Sequence, residues 1–246
     1  KKQVKTKGGQ YAYDWLVIAT GCRIVPEETD GLMDDWRGDV HDYYSLDGAM
    51  ALYKRWKYFK KGRVVLNIAD MPIKCPVAPL EFVFLADWFF KENGVRDDIE
   101  IELVTPLDGA FTKPVASKVL GDVCEKKNIK ITPNWSIDHV NAGKKTIESV
   151  TGDTIPYDLL VSIPLHSGAR VISDSGLGDP MGFVNTDKGT LKAADFDNIF
   201  VIGDATNVPT SKSGAVAHYE SDIVVENILL EIEGQAPKPE YDGHST

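Results

Sequence analysis

Asn198-Ile-Phe-Val-Ile-Gly-Asp-Ala205, followed by Lys212-Ser-Gly-Ala215 and a long run of apolar periodicity, decides how this 246-residue chain is read. Ile199 to Ile202 is a short continuous apolar run, the pattern of a strand buried on both faces. It breaks at Gly203-Asp204, where the backbone can come close to a ligand and a carboxylate can accept from a hydroxyl. Gly214 then opens a segment from Ala215 to Glu233 in which the apolar residues Val216, Ile223, Val224, Ile228, Leu229 and Ile232 recur at helical spacing. The first amides of such a helix point at the same ligand. The bland alternative is an α/β crossover whose turn faces no ligand.

Two further stretches bear on that choice. Tyr13-Asp-Trp-Leu-Val-Ile-Ala-Thr-Gly21 is a second apolar strand, entered from a hairpin turn at Lys7-Gly-Gly-Gln10 and ending in Ala-Thr-Gly. Asp158-Leu-Leu-Val-Ser-Ile163 repeats the pattern of an Asp followed by an apolar run. In this order, the three landmarks resemble those of FAD-dependent disulfide-reductase-like oxidoreductases. The resemblance implies an α/β, Rossmann-like flavoprotein of the two-dinucleotide-binding-domain kind. Residues 1–61 and 183–246 are then parts of the FAD-binding domain, and 62–182 form an inserted NAD-domain-like α/β domain. Thr20 and Gly21, Gly203 and Asp204, and Lys212, Ser213, Gly214 and Ala215 are the residues it assigns to the cofactor. Members of the family begin with a strand and a Gly-x-Gly-x-x-Gly turn, and none precedes Tyr11. The chain is therefore expected to be a C-terminal piece of a longer protein, holding FAD weakly or not at all by itself.

Composition narrows the function classes. Hydrophobic residues at 43% with 26% charged residues describe an ordinary globular protein. A net charge of -10 argues against a nucleic-acid partner, since phosphates would be repelled. No apolar run approaches the roughly 18 to 20 residues of a membrane span, and no stretch reads as a signal peptide. Cys22, Cys75 and Cys124 are odd in number and far apart, which disfavours a secreted disulfide framework and favours the reducing cytoplasm. No metal site is indicated.

Periodicity supplies the remaining elements. Helices are expected at Leu46 to Phe59, Leu80 to Lys91 and Pro114 to Lys127. Strands are expected at Val64 to Ala69, Ile99 to Val104, Ile129 to Thr132, Ile137 to Val140 and Thr146 to Val150. The tail from Gln235, rich in Pro and polar residues, is expected to be loosely held.

The loop after Ala69 carries the most specific chemistry. A pyridine-nucleotide site needs a second Gly-x-Gly-x-x-Gly here, because a side chain would block the pyrophosphate. The chain instead has Asp70-Met-Pro-Ile-Lys-Cys-Pro-Val-Ala-Pro-Leu-Glu81, with no glycine and three prolines. The next strand should end in an acidic residue for the ribose hydroxyls, yet it ends in Thr105-Pro106, with Glu102 inside it. Cys75-Pro-Val-Ala-Pro-Leu-Glu81 resembles the cysteine loop of sulfide:quinone oxidoreductases and of the flavin subunit of flavocytochrome c sulfide dehydrogenases. That resemblance implies oxidation of sulfide to sulfane sulfur or polysulfide at Cys75, with Glu81 moving protons. It implies FAD as the two-electron carrier, a quinone as acceptor, and peripheral attachment to the cytoplasmic membrane in the full-length protein. A second redox cysteine after the Gly-Asp strand is usual in that group, and no cysteine follows Cys124. Cys22 and Cys124 are expected to pack, and His166 and His218 match no assigned histidine. The rival readings are a single-subunit NADH:quinone oxidoreductase and a non-catalytic fragment that keeps only the fold.

Overall fold

The computed structural model describes residues 2–245, which form two compact units. One unit runs from Ile24 to His166; the other joins the residues up to Arg23 with those from Ser167 on. The chain begins with β1 (Gln3–Thr6), β2 (Gly9–Ala12), β3 (Leu16–Ile18) and β4 (Cys22–Ile24). It continues through β5 (Val40–His41), α1 (Leu46–Trp56), β6 (Gly62–Ile68), α2 (Ala78–Glu92), β7 (Ile99–Val104), α3 (Pro114–Lys126) and β8 (Ile129–Thr132). Then come β9 (Ile137–Asn141), β10 (Thr146–Ser149), β11 (Thr154–Pro156) and β12 (Leu159–Ile163). The last elements are β13 (His166–Gly168), α4 (Arg170–Asp174), β14 (Ile199–Val201) and α5 (Gly214–Ile232).

The 24–166 unit is built on a five-stranded, wholly parallel sheet in the order β5-β12-β6-β7-β8. A parallel sheet must be covered on both faces, and the strands alternate accordingly. Val64, Leu66 and Ile68 of β6, with Leu159, Val161 and Ile163 of β12, face a core shared with Leu52 and Trp56 of α1 and Leu80, Val83 and Phe90 of α2. Val65 and Leu160 face the opposite core, closed by Trp135, Val140, Ile147 and Ile155. The antiparallel strands β9, β10 and β11 supply the last three of those.

Helix ends are set by local chemistry. Ser45 caps α1 by accepting from the Gly48 amide at 3.0 Å, while the buried Asp42 carboxylate accepts from the Ser45 amide at 2.8 Å. α2 and α3 each carry proline in the first turn, where no hydrogen bond is lost. Midway along α2 the fully buried Asp87 accepts from Lys91 at 2.9 Å, Arg96 at 2.9 Å and Lys127 at 2.7 Å. Burial alone would raise this carboxyl, but hydrogen bonds from Lys127, Lys91 and Arg96 outweigh it and hold the group down at about 2.

The units divide after Arg23 and after His166, whereas the expected segments end at 61 and 182. The reason lies in two short features of 24–61. Val40 and His41 pair with Leu160 and Val161 at the sheet edge, and α1 buries Leu52 and Trp56 beneath it. Among the described residues, no helix is long and apolar enough to cross a membrane.

Candidate functional site

In the unit formed by the chain ends, β3 and β14 pair in parallel with Ile18 opposite Val201. Their C-terminal ends therefore lie side by side, and both sequence-predicted turns leave from that edge. Open α/β sheets receive ligands outside such carboxyl ends. Gly21 (φ 67°) and Gly203 (φ 65°) are both left-handed, a conformation that a Cβ disfavours. A Cβ on Gly203 would also lie 3.2 Å from the Ala217 Cβ. Thr20 is exposed, and Ala215 is partly buried in the first turn of α5. Ser213 caps that helix through the Val216 amide, and Gly214 is exposed with open space where a Cβ would be.

Three side chains brace the Gly203–Thr206 turn. The Cys22 thiol donates to Asp204 Oδ2 at 3.6 Å. The buried Lys212 ammonium donates to the Thr206 carbonyl at 2.9 Å and the Asp204 carbonyl at 3.2 Å, and lies 4.1 Å from the centre of the Phe183 ring. Burial lowers its pKa, with Cys22, Asp204 and Glu220 opposing the shift. The Gly203 amide donates to Glu220 Oε2. Gly203, Asp204, Lys212, Ser213 and Gly214 thus share one neighbourhood with the turn at Thr20-Gly21. The resemblance puts Lys212 at the cofactor; in the structure two of its three donors hold the turn itself. The bracing roles of Cys22 and Glu220 escape sequence reasoning. Their partners are 182 and 17 residues away, and one of those partners is a backbone amide.

Cys75 and Glu81, the residues expected to act on sulfur, both lie in the 24–166 unit. β6 ends at Ile68, the loop crosses Asp70 to Val77, and α2 begins at Ala78. Cys75 has φ 49°, rare for a residue with a side chain, and the residue is partly buried. Its carbonyl accepts from the Ala78 amide at 2.9 Å, and Tyr44 Oη donates to the neighbouring Lys74 carbonyl at 2.8 Å. Glu81 is exposed in the first turn of α2. Tyr43 stacks on Phe82 with ring centres 4.7 Å apart. Burial first, then Tyr44, Cys75 and Glu81, push its phenol far above the ordinary range, so it stays neutral. The Tyr43-Tyr44 pair is a site feature that sequence reasoning does not assign. The buried His166 ring, with Nδ1 2.9 Å from the Pro164 carbonyl, meets Tyr44 edge-on. His218 is exposed on α5. Cys124 is fully buried in α3, where burial pushes its thiol up to about 11, so it packs as expected.

The residues at the end of β7 are engaged within the sheet. Glu102 is buried, accepting from Thr132 Oγ1 at 2.6 Å and Lys130 Nζ at 2.8 Å. Thr105 is buried and donates its amide to the Thr132 carbonyl at 3.0 Å.

No protein-family model matches the chain. Over 250 residues it is 29% identical to the mitochondrial sulfide:quinone oxidoreductase of Dictyostelium discoideum, covering 99% of this chain and 55% of that protein. The mouse mitochondrial sulfide:quinone oxidoreductase is 28% identical over 246 residues, covering 97% of this chain and 55% of its own length. This chain is a relative of the sulfide:quinone oxidoreductases. It spans about half the length of the curated sulfide:quinone oxidoreductases that it matches. The crystal structure of the sulfide:quinone oxidoreductase from Aquifex aeolicus superposes with a TM-score of 0.80 at 20% identity, over 95% of this chain and 58% of that one. That likeness shows the fold, a Rossmann-like α/β architecture.

Proposed function

We propose that the protein takes part in FAD-dependent oxidation of sulfide to sulfane sulfur or polysulfide, with a quinone as electron acceptor. For one sulfur the balance is hydrogen sulfide plus quinone giving sulfane sulfur plus quinol, a transfer of two electrons and two protons. The observation that carries the reading is Cys75 just before α2, in a strained backbone conformation and only partly buried, where a nicotinamide binder needs glycine.

The residues of the β3–β14 edge fit a flavin nucleotide. Two left-handed glycines leave room for a phosphate or ribityl chain, and the α5 N-terminus favours its negative charge. In this reading Gly21, Thr20, Gly203, Ser213, Gly214 and Ala215 line the cofactor, and Asp204 accepts from a cofactor hydroxyl. Lys212 keeps the turn in shape and leaves one donor for the ligand. FAD, when bound, supplies the capacity to accept two electrons at once.

Cys75 acts as the sulfur-accepting thiol. As a persulfide it would hold the atom: thiol plus hydrogen sulfide gives persulfide, two protons and two electrons, the pair that bound FAD would have the capacity to accept and the quinone finally takes. Glu81, exposed four residues into the helix entry, exchanges protons between that sulfur and solvent. Tyr43 stays protonated beside both and offers a neutral donor and an aromatic wall. The reading includes peripheral attachment of the full-length protein to the membrane that holds the quinone. The reading places the protein on a reducing, cytoplasm-like side, where thiols such as Cys75 stay reduced.

The test is anaerobic titration of the flavin-loaded full-length protein with sulfide. Bleaching of the flavin bands that reverses on adding a quinone supports the reading. Flavin that stays oxidised in excess sulfide refutes it.

A further inference from the structure

The Gly203–Asp204 turn and the helix α5 are separate stretches of chain, and one side chain ties them together. Glu220 projects from the second turn of α5, is fully buried, and accepts the Gly203 N–H through Oε2. The donor is the amide of the left-handed glycine itself, the residue on which the turn depends. Oε1 is buried and has no hydrogen-bond partner among the described residues. A buried carboxylate with half its acceptors unused is costly unless it serves a purpose or carries a proton. The groups facing it are the Lys212 ammonium, the Asp204 carboxylate and the Tyr241 phenol, together with the Gly203 amide.

We propose that Glu220 is a positioning residue for the flavin: it latches the Gly203–Asp204 turn to α5, and its charge state sets how firmly that turn holds the phosphate–ribityl part of the cofactor. The proposal rests on the reading of Gly203 and Asp204 as flavin contacts.

Geometry sets the direction of the effect. When Glu220 is neutral, its carbonyl oxygen still accepts from Gly203, and it adds no charge to that of Asp204. When Glu220 ionises, a second negative charge stands next to Asp204 and to any bound pyrophosphate. Burial, with help from Asp204, lifts the Glu220 carboxyl to about 7 against the pull of the Gly203 amide and Lys212. The change therefore falls within the neutral range. Because the folded pKa lies above the unfolded one, the stability linked to this proton is complete below about pH 4.3 and is lost as pH rises through about 7. Flavin hold weakens in the same direction.

The experiment compares wild type, Glu220→Gln and Glu220→Ala in the full-length protein. Rate-corrected amide exchange over the Gly203 segment should be unchanged in Glu220→Gln, which keeps an acceptor, and at least ~10-fold faster in Glu220→Ala, since losing the partner of a buried amide costs roughly that factor or more. Thermal unfolding from pH 5.5 to 8.5 should show wild type losing stability through neutrality and Glu220→Gln losing far less. Titration with FAD should weaken severalfold for wild type between pH 6 and pH 8, and less than twofold for Glu220→Gln. Equal exchange in wild type and Glu220→Ala, or a full wild-type pH slope in Glu220→Gln, overturns the latch; if Glu220→Ala does not fold, the slope decides alone. If FAD binds no variant at either pH while exchange and unfolding behave as stated, the flavin reading of the turn fails and the latch stands. An equal pH dependence of FAD binding in wild type and Glu220→Gln overturns the charge effect.

Discussion

The turn after β14 and the loop after β6 occupy equivalent places, each leaving the C-terminal end of a parallel strand and entering a helix, yet they are built for different neighbours. At Gly203-Asp204 the backbone is left-handed by virtue of glycine, and side chains brace it from behind through Cys22, Lys212 and Glu220. At Asp70–Val77 glycine is absent, and a cysteine takes the left-handed position. The helices that follow differ in the same sense. Asp87 of α2 is buried but held ionised by Lys127, Lys91 and Arg96, whereas Glu220 of α5 is buried with the nearby Asp204 and shifts upward. The sheet edge supplies a place, and the residues of the loop decide its chemistry.

The contrast breaks most visibly at Cys75. Cys75→Ser should lower sulfide-dependent quinone reduction in the full-length protein by more than the ~10²–10⁴ expected for loss of a general acid or base, because serine cannot form a persulfide. Flavin content should be unchanged. Cys22→Ser and Cys124→Ser should keep most of the activity in the same assay. A Cys75→Ser protein with near-wild-type turnover removes the distinction between the two loops.

The helix beneath the cysteine loop is the next place to press. Asp87→Ala leaves Lys91, Arg96 and Lys127 without their shared carboxylate and should cost about 3–5 kcal/mol in denaturant unfolding. Asp87 has a folded pKa of about 2, below its unfolded value, so its contribution is present above about pH 4 and lost as pH falls toward 2. Asp87→Asn should therefore flatten the acid limb of the stability profile. An acid limb unchanged in Asp87→Asn would show that the clamp adds nothing.

A smaller effect sharpens the other side. Gly203→Ala forces a Cβ into a left-handed residue and toward Ala217, costing about 1–2 kcal/mol of stability. It should also lower FAD affinity in direct titration. Alanine at Gly94, which is equally left-handed but has open space around it, provides the control for backbone strain alone.

Much of this was legible in the sequence because the elements bury regular faces. β7 and β8 lie where alternation put them, and α2 and α5 follow their apolar periodicity to within two residues at each end. Val40–His41 has too few residues to show a period, and its pairing with β12 moves the compact-unit boundary from 61 to 23. The cysteine loop could be read from what it lacks, since glycine and proline have fixed backbone meanings. Glu220 could not, because α5 holds several acidic residues and nothing local separates the buried one from those in solvent.

The most direct test of the contrast is stopped-flow reduction of the bound flavin in the full-length protein, with sulfide and with NADH as alternative reductants under the same anaerobic conditions. The account predicts reduction by sulfide and no appreciable reduction by NADH, because the loop after β6 has three prolines and no glycine, and Glu102 and Thr105 are buried. Millisecond bleaching by NADH, with sulfide inert, would contradict it and make the protein an NADH:quinone oxidoreductase instead.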